Sequence, residues 1–192
     1  TAHIGEFGSR EKIAQTKSEI VTSLDANAVA ILGTYDEFTP QMAKSTPARV
    51  MYFGEKSTCD VRAADVDIRE GSAHFDLVTH AGREPVALRL IGRHQVPNAL
   101  AAAAIATAFD VPIEQIASGL STAEVSSKWR MEISEIGSVL LINDSYNANP
   151  ESMRAALETL RYFAQARGGR AWAFLGKMHE LGVESDARSE EH

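Results

Sequence analysis

At 192 residues, with 44% hydrophobic and 23% charged side chains, the chain has the length of one sizeable domain or two small ones and the composition of an ordinary globular protein. Its 26 acidic against 19 basic residues give a net charge of −7, which argues against sequence-independent nucleic-acid binding, where a basic footprint is needed. A single cysteine, Cys59, excludes an intrachain disulfide framework and makes a cytoplasmic location the natural expectation. No run approaches the roughly 18 apolar residues of a membrane span, and no stretch reads as a signal peptide.

In chain order, Ser9 is placed to cap a helix reaching about Leu24, with Ile13, Ile20, Val21 and Leu24 on one stripe at helical spacing. Asn27 to Gly33 and Arg49 to Phe53 read as short buried strands. From Asp60 to Ile91 the pattern alternates, broken by turn residues at Gly71-Ser72 and Ala81-Gly82-Arg83, which predicts a small antiparallel meander. Asn98 to Phe109 has the highest helix propensity in the chain, and Pro112 opens a further helix to about Gly119. After a polar link from Ser121 to Ser127, Met131–Ile136 and Ser138–Ile142 suggest a hairpin turning at Gly137. Asn149-Pro150 caps and starts a helix with Met153, Ala156, Leu157 and Leu160 inward. Ala171 to Leu175 reads as a buried strand, so that Val139 to Leu175 has the strand–helix–strand order of a parallel βαβ unit.

Several segments offer chemistry. At about 100° per residue, Ile13 and Val21 fall roughly 40° to either side of Lys17, with Leu24 about 20° away, so Lys17 is expected inside the apolar stripe. An uncompensated ammonium there is costly. Either its head snorkels to the edge, or it has a task such as ion pairing, phosphate binding or covalent modification. His3 and Glu6 share a loop before this helix, without the helical partner that metal-ligand spacing asks for. Gly92-Arg93-His94-Gln95-Val96-Pro97-Asn98 joins a strand end to a helix start, where free N–H groups and amides suit anions or polar ligand edges, and equally suit plain capping. Asn143-Asp144-Ser145-Tyr146-Asn147-Ala148-Asn149-Pro150 lies between a strand and a helix, where open α/β sheets hold ligands and where polar turns are also ordinary. Gly176-Lys177-Met178 occupies the equivalent position after the next predicted strand. The phosphate loop Gly-x-x-x-x-Gly-Lys-Ser/Thr is absent, as are Gly-x-Gly-x-x-Gly, His-Glu-x-x-His and Gly-x-Ser-x-Gly.

Taken in order, these segments resemble the Mur ligases. The matching pieces are Ala2-His3-Ile4-Gly5-Glu6-Phe7-Gly8-Ser9, Lys17-Ser18-Glu19-Ile20, Gly92-Arg93-His94 through Asn98-Ala99-Leu100-Ala101-Ala102-Ala103, Trp129-Arg130-Met131-Glu132, Asn143 to Met153, and Met178-His179-Glu180-Leu181-Gly182 with Glu184-Ser185. Asp-Ser-Tyr-Asn-Ala-Asn and Glu-Leu-Gly-x-Glu-Ser single out the branch whose substrates are a UDP-N-acetylmuramoyl-tripeptide and D-alanyl-D-alanine. The resemblance implies an ATP-dependent amide-bond ligase of peptidoglycan precursor synthesis that works through an acyl phosphate, with ATP and Mg2+ as cofactors. The implied fold is α/β: a mainly parallel sheet with flanking helices and a small antiparallel meander in a partial central domain (1–126), then the start of a Rossmann-like C-terminal domain (127–192). A cytoplasmic monomer with no nucleic-acid partner and no membrane span is implied.

Carried over residue by residue, His3 is similar to the family's metal-ligand histidine and Lys17 to the lysine carbamylated to hold a second magnesium. A carbamate would turn an inward cation into the hard oxygen ligand magnesium prefers. Gln95 and Asn98 resemble the amides near adenine, Arg130 the arginine that approaches the nucleotide, and Asp144 a ribose or phosphate contact. Tyr146 and Asn147 share that loop.

The family's first domain, phosphate loop and following catalytic glutamate are not in this sequence. The start at Thr1 and the close at Glu191-His192 are therefore expected to be cuts through a larger protein, inactive alone and binding ATP at best in the millimolar range. Lys177 stands where relatives carry an acid, Gly33-Thr34-Tyr35-Asp36 replaces Asn-Ala-Asp-Asp, and Ser18 stands where glycine is common. Competing readings are another Mur ligase, a folylpolyglutamate or cyanophycin synthetase relative, or a degenerate non-catalytic binding module.

Overall fold

A computed structural model describes residues 9–124, 128–176 and 178. His3, Glu6, Lys177 and the 179–185 part of the resemblance lie outside the described residues. Two compact units are present: one is Ala14–Glu124, and the other is made by the residues on either side of it.

Helix α1 (Arg10–Thr22) starts where Ser9 predicts it, with the Ser9 Oγ accepting from the Lys12 N–H at 3.3 Å. The helix buries none of its residues, Ile20 is 72% exposed, and Lys17 is exposed. The expected burial of Lys17 in an apolar stripe is therefore corrected. A stripe becomes an interior only when other elements cover it fully, and here Ile13, Val21 and Leu24 are only half-buried.

The larger unit is built on one five-stranded sheet in the order β1 (Val29–Gly33), β2 (Arg49–Gly54), β3 (Val61–Arg69), β4 (Ser72–Thr79), β5 (Gly82–Ile91). The β1–β2 and β2–β3 pairs are parallel and the two remaining pairs antiparallel, so the predicted meander continues the parallel strands instead of standing apart. Between β3 and β4, Arg69 pairs with Ser72 across Glu70 (φ 51) and Gly71 (φ 84). Two left-handed residues in a two-residue loop match the right-handed twist of a hairpin. Alternation sends Ala73, Phe75 and Leu77 of β4 and Val86 and Leu88 of β5 into the core.

Helix α2 (Thr39–Ser45) lies beside β1, helix α3 (Gln95–Ala108) runs across β1, β2 and β3, and helix α4 (Ile113–Thr122) packs on β5. The alanine run is a packing device: Ala103 and Ala104 are fully buried and Ala99 nearly so, beside Val96 and Leu100. Methyl-sized side chains let the α3 backbone approach the sheet closely. The helix begins at Gln95, three residues ahead of the Asn98 start read from the sequence. Pro97 does not prevent this, because first-turn N–H groups have no helical acceptor to lose.

In the second unit, β6 (Glu132–Ile136) and β7 (Val139–Asn143) form the predicted hairpin through Gly137 (φ 61). Helix α5 (Pro150–Ala166) opens on a capping box: Asn149 Oδ1 accepts from the Ser152 N–H at 2.9 Å while Ser152 Oγ accepts from the Asn149 N–H at 3.0 Å. It closes at Gly168 (φ 61), with the Gly169 N–H returning to the Ala164 carbonyl. The predicted buried strand from Ala171 to Leu175 is corrected: residues 171–176 carry no strand pairing, and Trp172 and Phe174 are 70% and 97% exposed. An apolar run becomes a strand only beside a backbone that pairs with it, and β6 and β7 pair with each other.

If the alanines serve packing, size and position decide the outcome of enlarging them. Ala103→Leu should destabilise the protein by about 1–3 kcal/mol, whereas Ala102→Leu on the exposed side of α3 should stay within about 0.5 kcal/mol of the parent. Urea midpoints at constant m-value measure both, and equal effects would contradict the packing assignment.

Candidate functional site

The carboxyl ends of β1 and β2 and the loop from β5 into α3 form one polar cluster in the larger unit. Gly92 takes φ 99 there, a conformation that favours glycine, and an added Cβ would fall 2.3 Å from the His94 ring. This tight turn carries Arg93, His94 and Gln95 into the first turn of α3. Arg93 makes a forked contact with Glu55 at the end of β2, its two nitrogens 3.3 and 2.6 Å from the carboxylate oxygens. The pair joins residues 38 apart in sequence, so neither residue signals it alone.

Gln95 and Asn98 are brought together as the sequence predicts. Three residues apart at the start of a helix, they share a face, and Asn98 Nδ2 donates to Gln95 Oε1 at 3.0 Å. Gln95 Nε2 lies 3.1 Å from His94 Nε2. The donor and acceptor roles in this contact follow the tautomer of the ring. The linked amides retain a free N–H on each nitrogen and the Asn98 oxygen among the described residues. A donor beside an acceptor is the pattern an adenine edge requires.

At the end of β1, Asp36 Oδ1 accepts from the Phe38 and Thr39 N–H groups at 2.8 and 3.0 Å and so opens α2. Thr39, buried, donates its hydroxyl to the Gly33 carbonyl at 2.7 Å. The departure at Gly33-Thr34-Tyr35-Asp36 therefore keeps an aspartate with a structural task. Tyr35 stacks obliquely on Phe53 with ring centroids 6.2 Å apart. Burial of the phenol, reinforced by the Glu55 carboxylate and Cys59 and opposed by Arg93, pushes its pKa up to about 12.

In the second unit the loops before β6 and after β7 bring Arg130, Asp144 and Tyr146 together. The Arg130 guanidinium carbon lies 4.1 Å from the Tyr146 ring centroid. Asp144 Oδ1 accepts from the Met131 N–H at 3.0 Å, and the Tyr146 N–H donates to the Trp129 carbonyl at 3.0 Å. Asn147 Oδ1 accepts from the next residue's N–H at 2.8 Å, a turn contact, and its side chain is exposed. An open apolar hollow of about 410 Å³ on α5, lined by Leu157, Leu160, Ala164 and Gly169 among others, includes none of these residues. Among the described residues no three His, Cys, Asp or Glu side chains converge as a metal site, and no helix is long and apolar enough to cross a membrane.

The larger unit has a mixed α/β fold, and comparison with known proteins makes the class specific. Residues 1–106 match the Mur ligase middle domain and residues 129–192 the Mur ligase glutamate ligase domain. The chain belongs to the Mur ligase family. Within it, the chain is 42% identical over 191 residues to the UDP-N-acetylmuramoyl-tripeptide–D-alanyl-D-alanine ligase of Mycobacterium tuberculosis, covering 97% of this chain and 38% of that protein. The enzyme of the same name from Escherichia coli is 33% identical over 188 residues, covering 97% of this chain and 41% of that protein. A crystal structure of MurF from Acinetobacter baumannii superimposes with a TM-score of 0.84 at 35% identity, over 98% of this chain and 40% of that one. MurF ligase from Thermotoga maritima, solved in complex with ADP, gives 0.73 at 27% identity over 97% and 42%. Folylpolyglutamate synthetase from Lactobacillus casei shares the fold at 15% identity, with a TM-score of 0.61 over 81% of this chain and 40% of that one. The chain thus spans about two fifths of the length of the relatives it matches.

The raised Tyr35 pKa has a directional consequence. The folded protein holds this proton to higher pH than an ordinary phenol with pKa 10.0, so the associated stability is complete below pH 10.0 and is lost as pH rises through about 12. Phenolate absorbance on alkaline titration should show one late phase near pH 12 that is missing in Tyr35→Phe. Titration of Tyr35 near pH 10.0 would contradict the burial of its phenol beside Glu55.

Proposed function

We propose that this chain supplies part of the middle domain (1–126) and the start of the C-terminal domain (127–192) of a complete ligase. That enzyme joins D-alanyl-D-alanine to a UDP-N-acetylmuramoyl-tripeptide at the expense of ATP, as a cytoplasmic monomer in peptidoglycan precursor synthesis. The observation that carries the reading is similarity to ligases of that name along 97% of the chain, at 42% identity in the mycobacterial relative. The branch-specific segment Asp144-Ser145-Tyr146-Asn147-Ala148-Asn149 forms the loop between β7 and α5. Folylpolyglutamate synthetase remains a fold relative only.

In this reading the tripeptide's terminal carboxylate attacks the γ-phosphorus and ADP leaves, giving an acyl phosphate. The amine of D-alanyl-D-alanine then attacks the acyl carbon and phosphate leaves. Both steps are governed by positioning and by stabilisation of charge on phosphate oxygens. Gln95 and Asn98 recognise the adenine edge through their free donors and acceptor. Arg130 directs a guanidinium at phosphate oxygens, where its forked N–H groups fit. Asp144 keeps one oxygen on the Met131 N–H, and its second suits a ribose hydroxyl. A carboxylate only accepts hydrogen bonds and would repel an anionic phosphate.

Magnesium, when bound, neutralises phosphate oxygens in this class of reaction. The described residues do not by themselves assemble a site for it. His3 and Lys17 are proposed as its protein-side ligands on the family resemblance. The exposed position of Lys17 leaves its amine open to carbamylation, without which an ammonium has no lone pair to offer a cation.

Phosphate release distinguishes the alternatives. The complete ligase should release phosphate from ATP only when both the tripeptide precursor and D-alanyl-D-alanine are present, and the 192-residue chain should release none above background. Lys17→Arg, which keeps the charge and cannot be carbamylated, should lower turnover of the complete ligase on the order of 100-fold. Preference for a diamino acid over D-alanyl-D-alanine, or full activity of the Lys17→Arg enzyme, would contradict the substrate and the lysine assignment respectively.

A further inference from the structure

Arg130 is held in an unusual way. The residues on both sides of it, Trp129 (φ 64) and Met131 (φ 48), are non-glycine residues in the left-handed region, which side chains bearing a Cβ rarely adopt. Two contacts from the loop after β7, one side-chain and one backbone, hold them there: Asp144 Oδ1 accepts from the Met131 N–H, and the Tyr146 N–H donates to the Trp129 carbonyl, each at 3.0 Å. Strain maintained by surrounding contacts clusters at functional positions. Between these two clamps the guanidinium rests on the Tyr146 ring, 4.1 Å from its centroid.

We infer that Tyr146 is a positioning residue whose ring face orients Arg130 toward the nucleotide phosphates without neutralising it; this rests on the proposed contact between Arg130 and ATP. Among the described residues Arg130 has no carboxylate partner. A carboxylate would fix the guanidinium equally well but would compete with phosphate for its in-plane N–H groups. A ring face engages only the π-surface of the cation, so the planar fork of donors stays open to an anion. The arrangement is not core packing, since Tyr146 is 56% exposed and Arg130 is exposed as well. No hydrogen bond to the phenol oxygen is present among the described residues, so the ring and not the hydroxyl carries the role.

Steady-state kinetics of the complete ligase test this, with Tyr146→Phe, Tyr146→Leu, Arg130→Ala and the Tyr146→Leu/Arg130→Ala double variant. Tyr146→Phe should keep kcat/KM for ATP within about twofold, and Tyr146→Leu should lose about three- to tenfold. The KM for D-alanyl-D-alanine should not change. Arg130→Ala should lose more than Tyr146→Leu, and adding Tyr146→Leu to it should cost nothing further, because the ring then has nothing to orient. A ring with a merely structural role would lower kcat/KM for all substrates alike and would add its loss to that of Arg130→Ala. If Arg130→Ala is impaired while Tyr146→Leu is not, or if Tyr146→Phe falls as far as Tyr146→Leu, the positioning inference is overturned and the role of Arg130 stands. An unimpaired Arg130→Ala enzyme overturns the phosphate contact and, with it, the task assigned to Tyr146.

Discussion

The close seating of α3 on the sheet is the contact on which the larger unit depends. Ala103 and Ala104 are fully buried and their methyl groups set the distance between helix and strands. That distance fixes the height at which the helix begins, and hence where Gln95 and Asn98 stand at its first turn. The left-handed turn at Gly92 and the Arg93–Glu55 fork then tie the incoming loop to the end of β2. Exposed ion pairs contribute little to stability, and this one sits between a 59% and a 29% exposed side chain, so its value lies in orientation. Core packing thereby becomes site geometry: a shift of the helix would carry both amides with it.

The second unit solves a similar problem with loops. Its hairpin is short, and its outward side chains Ile136, Val139 and Leu141 are exposed, so the strands alone supply little core. Precision comes from the clamp between the loop before β6 and the loop after β7. Asp144 illustrates how one side chain serves two ends there. One oxygen closes the turn at Met131, and the other is the one proposed above for a ribose hydroxyl. A substitution at Asp144 therefore alters the Arg130 loop as well as any contact Asp144 makes itself, and mutant kinetics at that position mix the two.

Periodicity and capping made most elements legible. Ser9 and Asn149 cap the helices they were expected to cap, and the alternation from Asp60 to Ile91 became β3, β4 and β5. The errors share a cause: local pattern cannot show what covers a surface. Lys17 occupies the stripe position that spacing predicts, yet the helix buries nothing. Trp172 and Phe174 have the apolar character of a strand without a strand beside them. The start of α3 was misplaced because Pro97 and Asn98 resemble a helix opening, although proline is tolerated anywhere in a first turn. At the candidate site, residue types were legible and their pairing was not. Arg130 and Tyr146 stand out in sequence as polar residues in loops, whereas their stacking depends on left-handed backbone at Trp129 and Met131 that no residue type there announces.

The proposal most open to direct test is that Gln95 and Asn98, at the first turn of α3, recognise the adenine of ATP in a sequence without the Gly-x-x-x-x-Gly-Lys-Ser/Thr loop. Titrating the 192-residue chain with adenosine and separately with ATP, while following the side-chain amide signals of Gln95 and Asn98 by NMR, tests it most directly. The account predicts that both ligands move those signals with millimolar dissociation constants, about 4 kcal/mol of binding, and that ATP gains little over adenosine. Micromolar ATP binding, or amide signals that respond to neither ligand, would contradict it.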